Sequence, residues 1–514
     1  MYFLGQASTY KFKDVLRHTF AIGSKSDFKE LRAYLAAHYG TTKDRVALYH
    51  TGRTALAIAL ERLVPPESEV LVTSLTCFAV YEAVLEAGCK PVFADIDPET
   101  LHFGLKELKT ALGFHPEISA VVVQNNLGIP CDIKGIEKIC KKYNLVLIED
   151  LAHCTGVHYR DGREAGTIGD AAVLSFGKGK SIDTISGGAV VFTNPDSATV
   201  RQPEKRPRLA DRLRDRWYPF FGWQIRGFYH LGSLGRYFTS LLLKLHFIQR
   251  SADADLDPRV RLTYWQAKLA LKQLQKLPRS GRKPLRDHYF VEDRDRLLRQ
   301  LEKAGYVFDD IWYNCPVSPL RYYRRLRFPE DECPVAVWAA DHLVNVPTWY
   351  PKKALRPALR LIERSAATFD ELPTPASKPS APAPKPAISK NKPTPEPDTD
   401  FDFAEESEEP EEYYLDEDSY YEPEDEVEPE EDRASIEEVG GTLNYSELVY
   451  DKFDHSHLNR TNILDNSINS DGTAVSLTKE ERRVKPTPIK NNLPKIRQYK
   501  KPEKGPETTE GKVW

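Results

Sequence analysis

AVVVQNNLGIPCDIKGIEKICKKYNLVLIED, residues 120–150, decides the fold. An apolar run ending in Gln124-Asn125-Asn126 reads as a strand, DIKGIEKICKKYN (132–144) as a helix, and LVLIED (145–150) as a second strand closing on a carboxylate. Working outward, the same alternation recurs. VALYH (46–50) precedes the helix TALAIALERL (54–63), which begins at Thr51-Gly52. EVLVTS precedes FAVYEAVLEAG with Gly88 as its cap, and PVFADI, AAVLSF and AVVFTN are further strands. Asp27 to Tyr39 carries Phe28, Leu31, Leu35 and His38 at helical spacing and reads as an amphipathic helix. Such alternation predicts an α/β fold with a mostly parallel central sheet and helices on both faces. Ligands of such sheets sit at the carboxyl ends of strands. Thr51-Gly52-Arg53, Asn125-Asn126 and Asp150 all fall there.

A strand-end aspartate taken alone is as well explained as a helix cap, and a loop lysine is ordinarily a solvated charge. Their order changes the reading. A glycine at a helix start is followed by strand-end Asp150, strand-end Ser175, Lys180 five residues later, and the tight turn Ser186-Gly187-Gly188. A helix N-terminus offers N–H groups to a phosphate, a serine hydroxyl adds a donor, a carboxylate keeps a pyridine nitrogen protonated, and a lysine amine forms an imine. These are the parts that hold a phosphorylated pyridine aldehyde. Lys178, on the same loop, is the competing lysine; its spacing from Ser175 favours Lys180.

With those residues in view, the chain resembles the DegT/StrS group of sugar aminotransferases among the fold-type I pyridoxal-phosphate enzymes, from about Asp27 to Pro357. TGRTALAIAL, EVLVTSLTCFAVYEAVLEAGCKPVFADIDPETL, NLGIPCDIKGIEKICKKYNLVLIEDLAHCTG and REAGTIGDAAVLSFGKGKSIDTISGGAVVFTN carry the likeness. The resemblance implies pyridoxal 5'-phosphate as cofactor, Lys180 as its Schiff-base lysine, Asp150 as partner of the pyridine nitrogen and His153 beside the ring. It places Ser175 and the Gly52-Arg53-Thr54 helix start at the phosphate. Cys77 occupies the usual position of the ring-stacking aromatic, with Phe78 as substitute. Arg259 stands where the family has an Asn that reaches the phosphate of a neighbouring subunit, so a homodimer is implied. The implied reaction moves an amino group, typically from glutamate, to a keto group of a nucleotide-linked sugar. The rival reading is an inactive aminotransferase-like scaffold that recruits partners at a membrane surface.

The expected organisation is a large cofactor-binding domain (1–200), a basic and aromatic insert (201–256), a trimmed α+β small domain (257–370) and a disordered tail (371–514). The trimming is inferred because too few residues separate Gln273 from the helix 293–305 to hold the usual helix and first strand. DIWYNCPVSP and ADHLVNVPTWYP resemble the family again. The tail is rich in Pro, Ala, Ser, Lys and Thr over 372–397, acidic over 398–432 and basic over 485–504, so it cannot bury enough apolar surface to order itself. That segregation makes the net charge of -4 uninformative about partners.

The seven cysteines (77, 89, 131, 140, 154, 315, 333) lack paired spacing. They fit a reducing compartment, and no metal site is expected. No secretion signal is evident at the start, and no uninterrupted apolar run reaches 18 residues. The expected location is the cytoplasm, peripherally at the inner membrane face if the insert touches a bilayer. Two readings of Arg201 to Arg250 stay open: an interface or core-covering element, or an interfacial element whose basic residues flank aromatic and aliphatic ones. Nucleic acid is not an expected partner, since the basic runs carry no recognised reading module.

Overall fold

The computed structural model describes residues 1–5, 9–194, 199–232, 234–251, 257–278, 284–308 and 311–367. The tail expected at 371–514 lies outside them. The chain begins with β1 (Tyr2–Phe3), α1 (Phe12–Thr19) and α2 (Lys25–His38). Then come β2 (Val46–Tyr49), α3 (Gly52–Leu63), β3 (Glu69–Thr73), β4 (Thr76–Cys77), α4 (Phe78–Glu86), β5 (Lys90–Ala94) and α5 (Leu105–Phe114). β6 (Ile118–Val123), α6 (Ile133–Lys142), β7 (Val146–Asp150), β8 (Ala171–Ser175) and β9 (Gly188–Phe192) complete the large domain.

Among the described residues these form a seven-stranded sheet in the order β2-β9-β8-β7-β6-β3-β5. The run from β5 to β8 is parallel, while β9 is antiparallel to both β8 and β2. Two antiparallel steps restore the direction, so β2 points the same way as β8. The chain ends at Thr51, Asp150 and Ser175 therefore meet at one edge of the sheet, with Gly187 bridged to Thr51 and Gly188 opposite Ser175. Alternate residues feed different cores, as the pleat requires. Val121, Leu147 and Leu174 pack with α2, α6 and α9 (Tyr264–Leu274), whereas Val122, Ile148 and Val173 pack with α3 and α4.

α2 starts two residues earlier than expected, where Ser24 and Asp27 form a reciprocal cap. His38 is not on its buried stripe; it is exposed, 2.9 Å from Glu164, and Tyr39 is buried instead. Glu149, beside the strand-end aspartate, is fully buried. Its carboxylate accepts from Tyr159 Oη and from the N–H groups of Gly166, Ile168 and Gly169 at 2.7–2.8 Å. Glu149→Ala would strand those four donors, and an unmet buried donor costs about 1–3 kcal/mol. A loss of at least about 3 kcal/mol is expected by urea unfolding, with Glu149→Gln milder.

The insert forms α7 (Leu209–Tyr229) and α8 (Leu234–Lys244). Tyr218, Ile225, Tyr229 and Leu242 share a core with Phe3, Tyr10 and Ile185. No described helix is long and apolar enough to cross a membrane. Beyond α9 lie β10 (Arg286–Phe290), α10 (Arg294–Lys303), β11 (Tyr306–Val307), β12 (Val317–Ser318) and α11 (Leu320–Tyr323). α12 (Pro334–His342), β13 (Leu343–Pro347) and α13 (Lys352–Arg364) follow. Two expectations are corrected here. A strand does fit before α10, since β10 pairs antiparallel with β13. The small domain also recruits the start of the chain, because β1 pairs with β11 and Leu4 joins the core of α10 and α13.

Candidate active site

β7 ends on Asp150, buried, with Oδ1 accepting from Ala152 N–H at 3.0 Å. Burial pushes this carboxyl up to about 6, against the opposing pull of that N–H and of Lys180. Three residues on, His153 lies 2.6 Å from Lys180 Nζ through its Nε2. Its Nδ1 faces the backbone N–H of Leu127 at 3.2 Å and Tyr313 Oη at 3.2 Å. A backbone N–H can only donate, so Nδ1 accepts and neutral His153 carries its proton on Nε2. That proton points at Lys180, which can accept it only as a neutral amine. Burial, first, holds the Lys180 ammonium below its ordinary pKa, and the Arg286 charge adds to this. Burial, then the Lys180 and Arg286 charges, keep His153 far below its own.

The loop carrying Lys180 is tied from within. Asp183 accepts from Gly179 N–H and Ile185 N–H at 2.9 Å and from Tyr10 Oη at 2.8 Å. Lys178 points elsewhere: its Nζ donates to Gln249 O at 2.5 Å and sits 4.3 Å from the Tyr218 ring centroid. Geometry thus separates the two lysines, placing Lys180, which the spacing from Ser175 favoured, against His153.

At the neighbouring strand end, Thr51 caps α3 by accepting from Thr54 N–H at 3.1 Å. A Cβ on Gly52 would lie 2.8 Å from Ser175 Cβ and 2.9 Å from its Oγ, so the helix start and Ser175 are in contact only because Gly52 has no side chain. First-turn N–H groups lack intrahelical acceptors, a property that suits a helix start to an anion. The Arg53 side chain does not point into this junction; it pairs with Glu82 and reaches Ser251 O. Gly52→Ala is expected to raise the dissociation constant for a phosphorylated cofactor at least about ten-fold by displacing these donors, read by fluorescence titration.

Cys77, half-buried, lies near Lys180. The Phe78 ring is stacked on Tyr322 at 4.1 Å and 5°. The aromatic surface facing Lys180 comes from Trp312, whose centroid is 5.0 Å from Nζ and 4.8 Å from the His153 ring at 19°. Arg286, fully buried, lies 4.2 Å from the Trp312 centroid and donates to Asn345 Oδ1 at 2.9 Å. Tyr313 Oη also bonds Asn126 Oδ1 at 3.0 Å, tying the small domain to the end of β6. Trp312, Tyr313 and Arg286 escaped the sequence reading, although DIWYNCPVSP marked the region of the first two. Arg259 is not part of the Lys180 cluster within this chain. It is exposed and bidentate to Asp257, and together with Lys205 it outweighs burial to hold Asp257 down to about 2.

Comparison with known proteins places this geometry. Residues 4–219 match the DegT/DnrJ/EryC1/StrS aminotransferase family. GDP-perosamine synthase of Caulobacter vibrioides is 30% identical over 260 residues, 50% of this chain and 64% of that protein, so the chain spans less than two thirds of this relative. UDP-N-acetyl-3-dehydro-alpha-D-glucosamine 3-aminotransferase of Acidithiobacillus ferrooxidans is 33% identical over 58% of this chain and 77% of its own length. A pleiotropic regulatory protein of Geobacillus stearothermophilus is 34% identical over 328 residues, 62% of this chain. Because these last two likenesses, at 33% and 34% identity, span 77% and 83% of the relatives, the chain belongs to the DegT/DnrJ/EryC1/StrS aminotransferase family.

Proposed function

We propose that the chain is a pyridoxal-phosphate-dependent aminotransferase that passes an amino group, from glutamate, to a keto group of a nucleotide-linked sugar. The observation that carries this reading is the Lys180 amine held at 2.6 Å by His153, beside buried Asp150 and the Gly52–Ser175 junction. The residues present fit the cofactor: a helix start for its phosphate, a buried carboxylate for its ring nitrogen and a neutral amine for its aldehyde. When bound, the group supplies an electron sink that lets an amino group leave one carbon and join another.

The chain's own side chains divide the remaining work. Asp150, charged above about pH 6, would keep a proton on the ring nitrogen. His153 orients the Lys180 amine, and Lys180, neutral, would take and return the proton at the substrate Cα. Trp312 and Tyr313, brought by the small domain, cover the amine and exclude water. Support for the acceptor class comes from the relatives named for GDP- and UDP-linked sugars. A homodimer, in which Arg259 reaches the neighbouring phosphate, completes the proposal.

The test is the absorbance of purified protein with pyridoxal phosphate. A near-visible band bleached by glutamate, followed by amine formation on a keto sugar nucleotide, is the expected result. A band that glutamate leaves untouched would refute the donor. No band at all would overturn the enzyme reading in favour of a scaffold.

A further inference from the structure

α7 and α8 each carry two apolar stripes. On α7, Tyr218, Gly222, Ile225 and Tyr229 are buried, while Leu209, Leu213, Trp217 and Trp223, at helical spacing, are 40–64% exposed. α8 repeats the pattern, with Leu242 buried and Leu234, Tyr237 and Leu241 at least half exposed. Fourteen of the eighteen large exposed hydrophobics among the described residues lie on α1, α7, α8 and their adjoining turns, so the surface is concentrated and not scattered. Phe12 of α1 meets Trp223 of α7 at 5.6 Å, which makes those two helices continuous.

Against the exposed Phe20 and Ile22 opens a cavity of about 420 Å³ lined by Arg206, Arg212, Arg216 and Arg261. Arg216 is fixed there, donating to Thr19 O and Ala21 O at 2.9 Å with its guanidinium 4.8 Å from the Trp265 centroid. Arg261 lies 4.2 Å from the Tyr264 centroid. No carboxylate lines the cavity, and none is paired with these four arginines among the described residues. Four like charges held together without a counter-charge call for an anion, and guanidinium geometry suits phosphate.

We propose that the α1–α7–α8 face docks on an anionic phospholipid surface, with the arginine cavity receiving a headgroup phosphate and the exposed apolar stripes entering the acyl boundary. A bilayer supplies both chemistries at once, phosphate beside hydrocarbon. A second copy of the same face repeats its apolar stripes and its arginines without adding a phosphate. Lys178 and Asp215 extend the consequence inward. Lys178, two residues before Lys180, is held by Gln249 and Tyr218, and Ser186 donates to Asp215 of α7, so the docking helices also grip the lysine loop.

The experiment is sedimentation of the full chain with vesicles of phosphatidylcholine alone or mixed with phosphatidylglycerol. Arg206→Ser/Arg212→Ser and Leu213→Ser/Trp217→Ser are compared with wild type; all four residues are exposed, so melting temperatures should stay unchanged. Binding that needs phosphatidylglycerol and falls at least ten-fold in each double variant supports the proposal. It is overturned by absence of binding, by equal binding to phosphatidylcholine alone, or by an arginine variant that binds as wild type. It is also overturned if inorganic pyrophosphate binds in an Arg206/Arg212-dependent way while vesicles do not, which assigns the cavity to a soluble phosphate. Self-association lost in Leu213→Ser/Trp217→Ser without vesicle binding assigns the face to a second copy.

Discussion

Lys180→Ala is expected to abolish the near-visible band of the protein with pyridoxal phosphate, and to lower glutamate turnover by about 10⁴-fold, the upper end of what a positioned proton-transferring group contributes. Lys178→Ala should keep the band. The two residues sit on one loop, but only Lys180 lies against His153 and near Asp150, whereas Lys178 is spent on Gln249 O and the Tyr218 face. Single-turnover absorbance with glutamate separates them. The opposite pattern, with the band surviving in Lys180→Ala and missing in Lys178→Ala, would reverse the assignment.

Asp150→Asn should act with opposite signs on stability and on catalysis. In the ligand-free chain the carboxyl titrates at about 6 instead of its ordinary 3.8, because burial penalises the charge. A raised folded-state pKa means the native state holds the proton more tightly than the unfolded chain. The stability this provides is complete below about pH 4 and is lost as pH rises through about 6. At pH 8 the buried charge costs about 3 kcal/mol, taking 1.36 kcal/mol per pKa unit. Asparagine removes the charge, so ligand-free Asp150→Asn should be up to about 3 kcal/mol more stable than wild type in urea at pH 8, and no more stable at pH 4. With cofactor the order should invert, since wild type gains a carboxylate–pyridinium pair that the amide cannot make, and turnover should fall at least about 100-fold. A variant less stable than wild type at pH 8 without cofactor would show that burial of this charge is not what strains the site.

The contrast between Asp150 and Phe78 shows why some site residues can be read from sequence and others cannot. Asp150 is placed by β7, whose apolar run and abrupt polar end are local facts, and its position follows once the strand is recognised. Phe78 follows a two-residue strand at the start of α4, where a one-residue change in register decides which side chain faces the lysine. Pairing of Thr76-Cys77 with Val317-Ser318 settles that register, and it leaves half-buried Cys77 near Lys180. The missing first strand of the small domain has a similar cause. Arg286–Phe290 reads as charged and short, with no periodicity to announce it. It becomes a strand by pairing with β13, more than fifty residues downstream.

By itself, then, the sequence determined the parallel core of the large domain, the helices on both faces, and the gathering of Gly52, Asp150, Ser175 and Lys180 at strand ends. Each of these depends on patterns within a dozen residues, where pleat and helix period leave little choice. Tertiary structure alone decided that Lys180 lies against His153 while Lys178 turns to Gln249, that Trp312, Tyr313 and Arg286 gather beside Lys180, and that the first strand belongs to the small domain. The direction of a loop side chain is set by what packs against it, and here those partners lie from about thirty to three hundred residues away along the chain.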